Sequence, residues 1–146
     1  MKKTIMALAM LAASNTSFAQ SACGWTEVWR DDFNTLNQQV WSAEVNGDGG
    51  GNNELQFYTD RPENLYVENG LLNIKAIREA YQGKTWTSAR LRSKHGKDFT
   101  YGKMEARIKL PTGQGLWPAF WMLGAGWPST PWPRCGELDI MEHKGS

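Results

Sequence analysis

Cysteine, histidine and any imbalance of charge are what this 146-residue sequence has least of. Two cysteines, Cys23 and Cys135, allow at most one intrachain disulfide. The two histidines, His95 and His143, stand far apart and lack the ligand spacing of a zinc site. Sixteen basic residues stand against fifteen acidic ones, so no excess charge favours nucleic acid or an anionic membrane surface. A neutral polymer suits such a surface better. The apolar run Ile5–Ala13 is too short to span a bilayer. No convincing helical pattern follows it, and no internal repeat is visible.

The N-terminus carries a different pattern. Met1-Lys2-Lys3 is positive, the apolar run follows, and Ser17-Phe18-Ala19 has small residues flanking the centre. That order predicts a secretory signal peptide over residues 1–19, cut after Ala19, with residues 20–146 secreted to the periplasm or the exterior. No membrane segment then remains. Export permits a Cys23–Cys135 bond without establishing one. Gln20-Ser21-Ala22 lacks the aliphatic residue that would make Cys23 a lipid anchor. Cys135 as a nucleophile would need a partner such as His143; packing is its simpler use.

Beyond the leader, short apolar stretches alternate with turn signals. Trp25–Phe33 alternates weakly and predicts a first strand. Val45–Asn53 holds Gly47, Gly49, Gly50 and Gly51, a loop requiring unusual dihedrals or close approach. Asn69-Gly70 between Leu65–Val67 and Leu71–Ile74 predicts a hairpin with a type I′ turn. Trp86–Ser93 reads as a strand. In Tyr101–Leu110, Met104, Ala106, Ile108 and Leu110 alternate with Lys103, Glu105, Arg107 and Lys109, a strand with one core face. Trp117–Leu123 is a continuous apolar run, expected to be a strand covered on both sides. Ala125–Arg134, with three prolines, is a loop. The ensemble predicts an all-β sandwich.

The chemistry concentrates in Glu137-Leu138-Asp139-Ile140-Met141-Glu142, where three carboxylates alternate with apolar residues. On a regular strand Glu137 and Asp139 share a face, and Glu142 turns to the other, among Leu138 and Ile140. Burying a carboxylate there is costly. A bulge near Ile140-Met141 returns Glu142 to the face of Asp139. The outer glutamates then sit about 13 Å apart at Cα. Side chains leaning inward reach the roughly 5–5.5 Å separation of a retaining glycosidase, and the wider inverting geometry also fits. Close like charges push carboxyl pKa values apart, which an acid/base pair requires. Spacing alone leaves open which glutamate takes which part.

This motif resembles the signature of glycoside hydrolase family 16 in its six-residue form. Gly51-Asn52-Asn53-Glu54-Leu55-Gln56-Phe57-Tyr58-Thr59, Thr87-Ser88-Ala89-Arg90-Leu91-Arg92 and Gly115-Leu116-Trp117-Pro118-Ala119-Phe120-Trp121-Met122-Leu123 resemble its laminarinase branch. The resemblance implies a concanavalin A-like β-jelly roll with a glycan cleft on its concave face. It implies a secreted endo-β-1,3-glucanase acting on laminarin-type β-glucan with retention. Mixed-linkage β-glucan, an agar-type galactan, or non-catalytic glucan binding are the alternatives. Family domains run to roughly twice the length of residues 20–146, and a jelly roll needs about eight strands. The expectation is therefore the N-terminal portion of a catalytic domain, truncated after the catalytic strand and inactive until completed; the whole enzyme is expected to be a monomer.

By position in the motif, the resemblance assigns Glu137 as nucleophile, Glu142 as general acid and base, and Asp139 as the group that tunes Glu137. Asn53, with Asn52 as fallback, resembles a sugar-binding asparagine. Arg90 resembles an arginine of the neighbouring cleft strand, able to bind sugar or orient Glu137; a plain surface charge is the alternative. Trp117 and Trp121, four residues apart, share a strand face and can stack on sugar rings or pack in the core. Trp127 and Trp132 fit an outer subsite; Trp25, Trp29, Trp41 and Trp86 fit core or rim. No cofactor is required for the chemistry. The family implies a possible structural calcium to which the Gly70 carbonyl would contribute.

Overall fold

A computed structural model describes residues 24–93 and 96–145. The predicted leader, Cys23 and His95 lie outside them. The chain divides into two compact units, Met1–Asp31 and Asp32–Ser146. In the described part of the first, Arg30 pairs with Glu27 at 2.6 Å and no strand forms. The first strand expected over Trp25–Phe33 is thus absent: its weak alternation is met by no backbone ladder, and a strand exists only with a partner.

The second unit is all-β, with no helix among the described residues. Strands β1 (Ser42–Ala43), β2 (Gln56–Tyr58), β3 (Leu65–Glu68), β4 (Leu71–Ile74), β5 (Ile77–Tyr81), β6 (Lys84–Ser88), β7 (Leu91–Arg92), β8 (Ala119–Leu123) and β9 (Glu137–Glu142) form small ladders. These are β1–β7, β2–β6–β5, β3–β4 and β8–β9. The pair β2–β6 is parallel and the others are antiparallel.

The hairpin β3–β4 forms as expected. Leu65 pairs with Ile74 and Glu68 with Leu71, and Asn69 and Gly70 carry φ of 52° and 69°. A type I′ turn needs positive φ at both central residues, which asparagine and glycine tolerate. Gln82-Gly83, with φ of 47° and 77°, joins β5 to β6 in the same manner.

Three strand expectations change. Trp86–Ser93 is two elements: β6 pairs with β2 and β5, then the chain passes Ala89-Arg90 and β7 pairs with β1. Tyr101–Leu110 joins no ladder and is mostly exposed. Its alternation sorts most of the side chains: Met104, Ala106, Ile108 and Leu110 line a groove of about 400 Å³ with Phe120, Ile140 and Met141, and of their charged neighbours Glu105 also borders it. The β8 run is not covered on both sides. It is half-buried, and Leu138 opposite it is 61% exposed, since two strands alone cannot bury both faces of their sheet.

The most buried side chains around β3–β6 are polar. Asn64, fully buried, uses its whole amide: Oδ1 accepts from Thr59 (2.6 Å) and Arg61 (3.0 Å), while Nδ2 donates to the Lys75 carbonyl (2.9 Å) and Thr87 Oγ1 (3.0 Å). Glu79 accepts from Thr87 and from Arg61, whose guanidinium lies 4.5 Å over the Tyr81 ring. Leu65 and Ala89, both 6% exposed, are the buried apolar side chains among the described residues. The bonds from Asn64 to Thr87, from Asn64 to the Lys75 carbonyl and from Arg61 to Glu79 join separate strands and turns, so the cluster fixes how the hairpins pack, and a buried amide such as that of Asn64 left unpaired costs about 1–3 kcal/mol.

The Thr87 hydroxyl, then Arg61, hold the Glu79 carboxyl below its ordinary value of 4.5. A depressed carboxylate stabilises the folded state above its unfolded value, and that contribution disappears as pH falls through the lower folded value. Denaturant midpoints of the full-length protein and its Glu79→Gln variant should therefore differ most at neutral pH and converge as pH falls through the lowered folded-state value. A constant difference across that range would show that the ionised carboxylate is not what holds the cluster.

Candidate active site

Strands β8 and β9 build the acidic site. Five residues of β8 face six of β9. Leu123 pairs with Glu137, Met122 with Leu138 and Trp121 with Asp139; then the register shifts, and Phe120 pairs with Met141 and Ala119 with Glu142. Ile140 is the unpaired residue, so the bulge lies at Ile140-Met141, where the sequence reading expects it. Paired residues share a face, and Leu123, Trp121 and Ala119 alternate along β8. Glu137, Asp139 and Glu142 therefore stand on one face. Leu138 and Met141 take the other, where Met141 joins Phe120 in lining the Met104–Leu110 groove and Leu138 stays exposed. Four strand steps separate the outer glutamates, about 13 Å at Cα.

The connection between the strands closes tightly. Gly124 N–H donates to the Gly136 carbonyl at 2.9 Å, and a Cβ on Gly124 would stand 1.8 Å from the Cys135 carbonyl oxygen. Only glycine fits there, and any substitution would displace the start of β9. Cys135 is half-buried beside this contact, consistent with packing. Trp127 and Trp132, on the same connection, are 39% and 62% exposed.

Pairing continues beyond the other end of the ladder. His143 N–H donates to the Pro118 carbonyl (3.1 Å) and Gly145 N–H to that of Leu116 (2.8 Å). This sets Trp117 opposite Lys144 and on the acid face, as its even spacing from Trp121 requires. The Trp117 indole N–H donates to Glu142 Oε1 at 2.8 Å, and Lys144 Nζ lies 4.1 Å from the ring centroid.

Arg90 reaches the same face from the β6–β7 junction. Its guanidinium lies 4.7 Å over the Trp121 ring and 5.9 Å from that of Tyr58, and its Nε is 3.6 Å from Glu44 Oε1. Arg92 also approaches Glu44, at 3.4 Å. Of the two parts open to Arg90, orienting Glu137 is not what the structure places: its carboxylate partner is Glu44. It braces Trp121, directly opposite Asp139. Asn53 stands apart from these contacts, exposed and at φ 56°, where the Gly49–Gly51 loop leads into β2.

Sequence reading missed Glu44, Glu54 and Tyr58. Glu54 Oε2 accepts from Gln56 and Tyr58, both at 2.5 Å. Burial, then the Glu54 carboxylate, pushes the Tyr58 phenol up to about 12. Tyr58 therefore stays neutral as a donor through the working range of any glycosidase. Glu54, Gln56 and Tyr58 fall at strand spacing, a signal for a shared face. Nothing in the sequence announced Glu44, whose partners lie 46 and 48 positions downstream.

Among the described residues no group of histidine, cysteine, aspartate or glutamate gathers as a metal set. At Gly70 the neighbouring donor is a main-chain one, the Asp32 carbonyl, 4.0 Å from where a Cβ would stand. Calcium takes six to eight oxygens. These residues alone do not supply them, and no step below passes through a metal.

A β-glucanase of Rhodothermus marinus is 41% identical over 154 aligned residues, covering 99% of this chain and 54% of that protein. A glucan endo-1,3-β-glucosidase of Cryptopygus antarcticus is 43% identical over 136 residues, covering 88% and 49%. The solved laminarinase of Rhodothermus marinus superposes with a TM-score of 0.76 at 46% identity, over 81% of this chain and 49% of that one. The chain spans about half the length of these relatives. Its fold is all-β and matches that part of the laminarinase jelly-roll sandwich. Residues 36–146 match the profile of Glycosyl hydrolases family 16, most of the chain, which therefore belongs to that family.

Proposed function

We propose that the protein is a secreted endo-acting glycoside hydrolase that cleaves laminarin-type β-1,3-glucan with retention. The observation that carries this is the β8–β9 register: the bulge at Ile140 sets Glu137, Asp139 and Glu142 on one face with Trp117 and Trp121. Glu137 attacks the anomeric carbon while Glu142 protonates the departing oxygen. Glu142 then takes a proton from water, which displaces Glu137. Asp139, between them on the strand, tunes Glu137. The free faces of the tryptophans accept sugar C–H groups, and Asn53 contributes hydroxyl contacts at the rim.

The laminarinase and endo-1,3-β-glucosidase relatives support the β-1,3 substrate. Reducing-sugar release by the full-length protein on laminarin, mixed-linkage glucan and agarose tests it. Laminarin should be hydrolysed fastest, with short oligosaccharides appearing early. Faster release from either other polymer would move the substrate, and none from any would leave a glucan-binding protein. Export rests on the leader pattern, and a mature N-terminus at Gln20 is its check.

A further inference from the structure

The contact between Trp117 and Glu142 is not explained by sugar stacking. The indole presents its polar edge to the carboxylate at 2.8 Å, and Lys144 occupies a face of the same ring at 4.1 Å. Main-chain bonds on both sides, at Leu116–Gly145 and Pro118–His143, hold the two segments in register. We propose that Trp117 is a positioning residue for Glu142, which assigns the catalytic proton to one oxygen of that carboxyl. This rests on reading Glu142 as the general acid and base.

The chemistry follows from the donor. An indole N–H donates and never accepts, so Oε1 is held as its acceptor and Oε2 is the oxygen left free to carry and hand over the proton. The proton resides on Oε2. In the first step Oε2–H passes its proton to the glycosidic oxygen as the C1–O bond breaks and the C1–O bond to Glu137 forms. In the second, Oε2 takes a proton from water as the water oxygen bonds to C1 and the Glu137 ester breaks, returning both carboxyls to their starting forms. A planar ring with two torsions, clamped by a cation on its face, holds this geometry with little freedom.

The test compares two substrates in the full-length enzyme. A laminari-oligosaccharide needs its leaving group protonated; a dinitrophenyl β-laminaribioside does not for the first step. Trp117→Phe keeps an aromatic ring and removes the N–H. Its kcat/KM on the oligosaccharide should fall about 10- to 100-fold, a part of what general acid catalysis supplies. The burst rate on the aryl glycoside should fall several-fold less than that, since its step needs no proton and any loss from weaker ring stacking is common to both substrates. Trp117→His, which restores a ring N–H, should recover part of the difference. The burst amplitude counts active sites, and kcat/KM is normalised to it, so poor folding drops out. Equal losses on both substrates, or no recovery with histidine, would overturn the proposal. Glu142→Ala separates it from the reading beneath: that variant should lose the oligosaccharide and keep the burst. If it loses both alike, the acid/base assignment itself is wrong.

Discussion

Glu137→Ala in the full-length protein will lose turnover on the order of 10⁴-fold or more, as removal of a covalent nucleophile does elsewhere, and azide will restore part of it on an activated aryl glycoside. The truncated side chain leaves room on the face of the sugar opposite the leaving group. Azide entering there displaces the aryl group once and inverts the centre, giving the α-glycosyl azide. In Glu142→Ala the glycosyl-enzyme on Glu137 still forms, and azide replaces water in the second displacement, giving the β-glycosyl azide. The configuration of the azide therefore identifies each glutamate, which spacing alone left open. A β-azide from Glu137→Ala would exchange the two roles; no rescue in either variant would count against both.

The second large effect concerns the bulge. Six residues of β9 face five of β8, and Ile140 is the surplus. One residue inserted between Phe120 and Trp121 gives Ile140 a partner and straightens the ladder. Glu142 then turns to the face of Leu138 and Ile140, since a one-residue change of register exchanges faces. Activity on oligosaccharide should fall about 10²- to 10⁴-fold, the contribution of acid/base catalysis. Deleting Ile140 has the opposite consequence. Glu137, Leu138, Asp139, Met141 and Glu142 then alternate one-to-one against β8, and the acids remain on one face. That variant should keep most of its activity, and combining the deletion with the insertion should regain what the insertion removed. Circular dichroism and thermal midpoints establish that each variant folds. An insertion variant that folds and retains full turnover would show that the bulge does not place Glu142.

These expectations indicate where sequence alone was sufficient. The β3–β4 hairpin was legible because Asn69-Gly70 is local chemistry: two residues that accept positive φ between two apolar runs. The bulge was legible because regular alternation would set Glu142 among Leu138 and Ile140 and away from Asp139, whereas one extra residue keeps the three acids together. The 101–110 segment was half legible. Its period separated Met104, Ala106, Ile108 and Leu110 from their charged neighbours, and the structure sends those four to one groove, with Glu105 at its border, yet periodicity holds no information about a ladder partner. Trp25–Phe33 failed for the same reason.

The polar contacts were the least legible. Trp117 meets Glu142 across 25 positions, and Asn64 meets Thr87 across 23. Such pairs arise from strand order, which alternation does not encode. Arg90 shows the consequence. Its place by the site was readable from the motif, whereas its carboxylate partner, Glu44, is supplied by the pairing of β1 with β7.

The central claim is that the kinked β9 turns its two outer glutamates toward one sugar, close enough for double displacement. Proton NMR of laminari-oligosaccharide hydrolysis by the full-length protein, recorded before mutarotation, reads this out directly. The β anomer should appear first, with the α anomer growing in later as the solution equilibrates. A first-formed α anomer would mean a single displacement by water across a wider gap, and would contradict the arrangement proposed for Glu137 and Glu142.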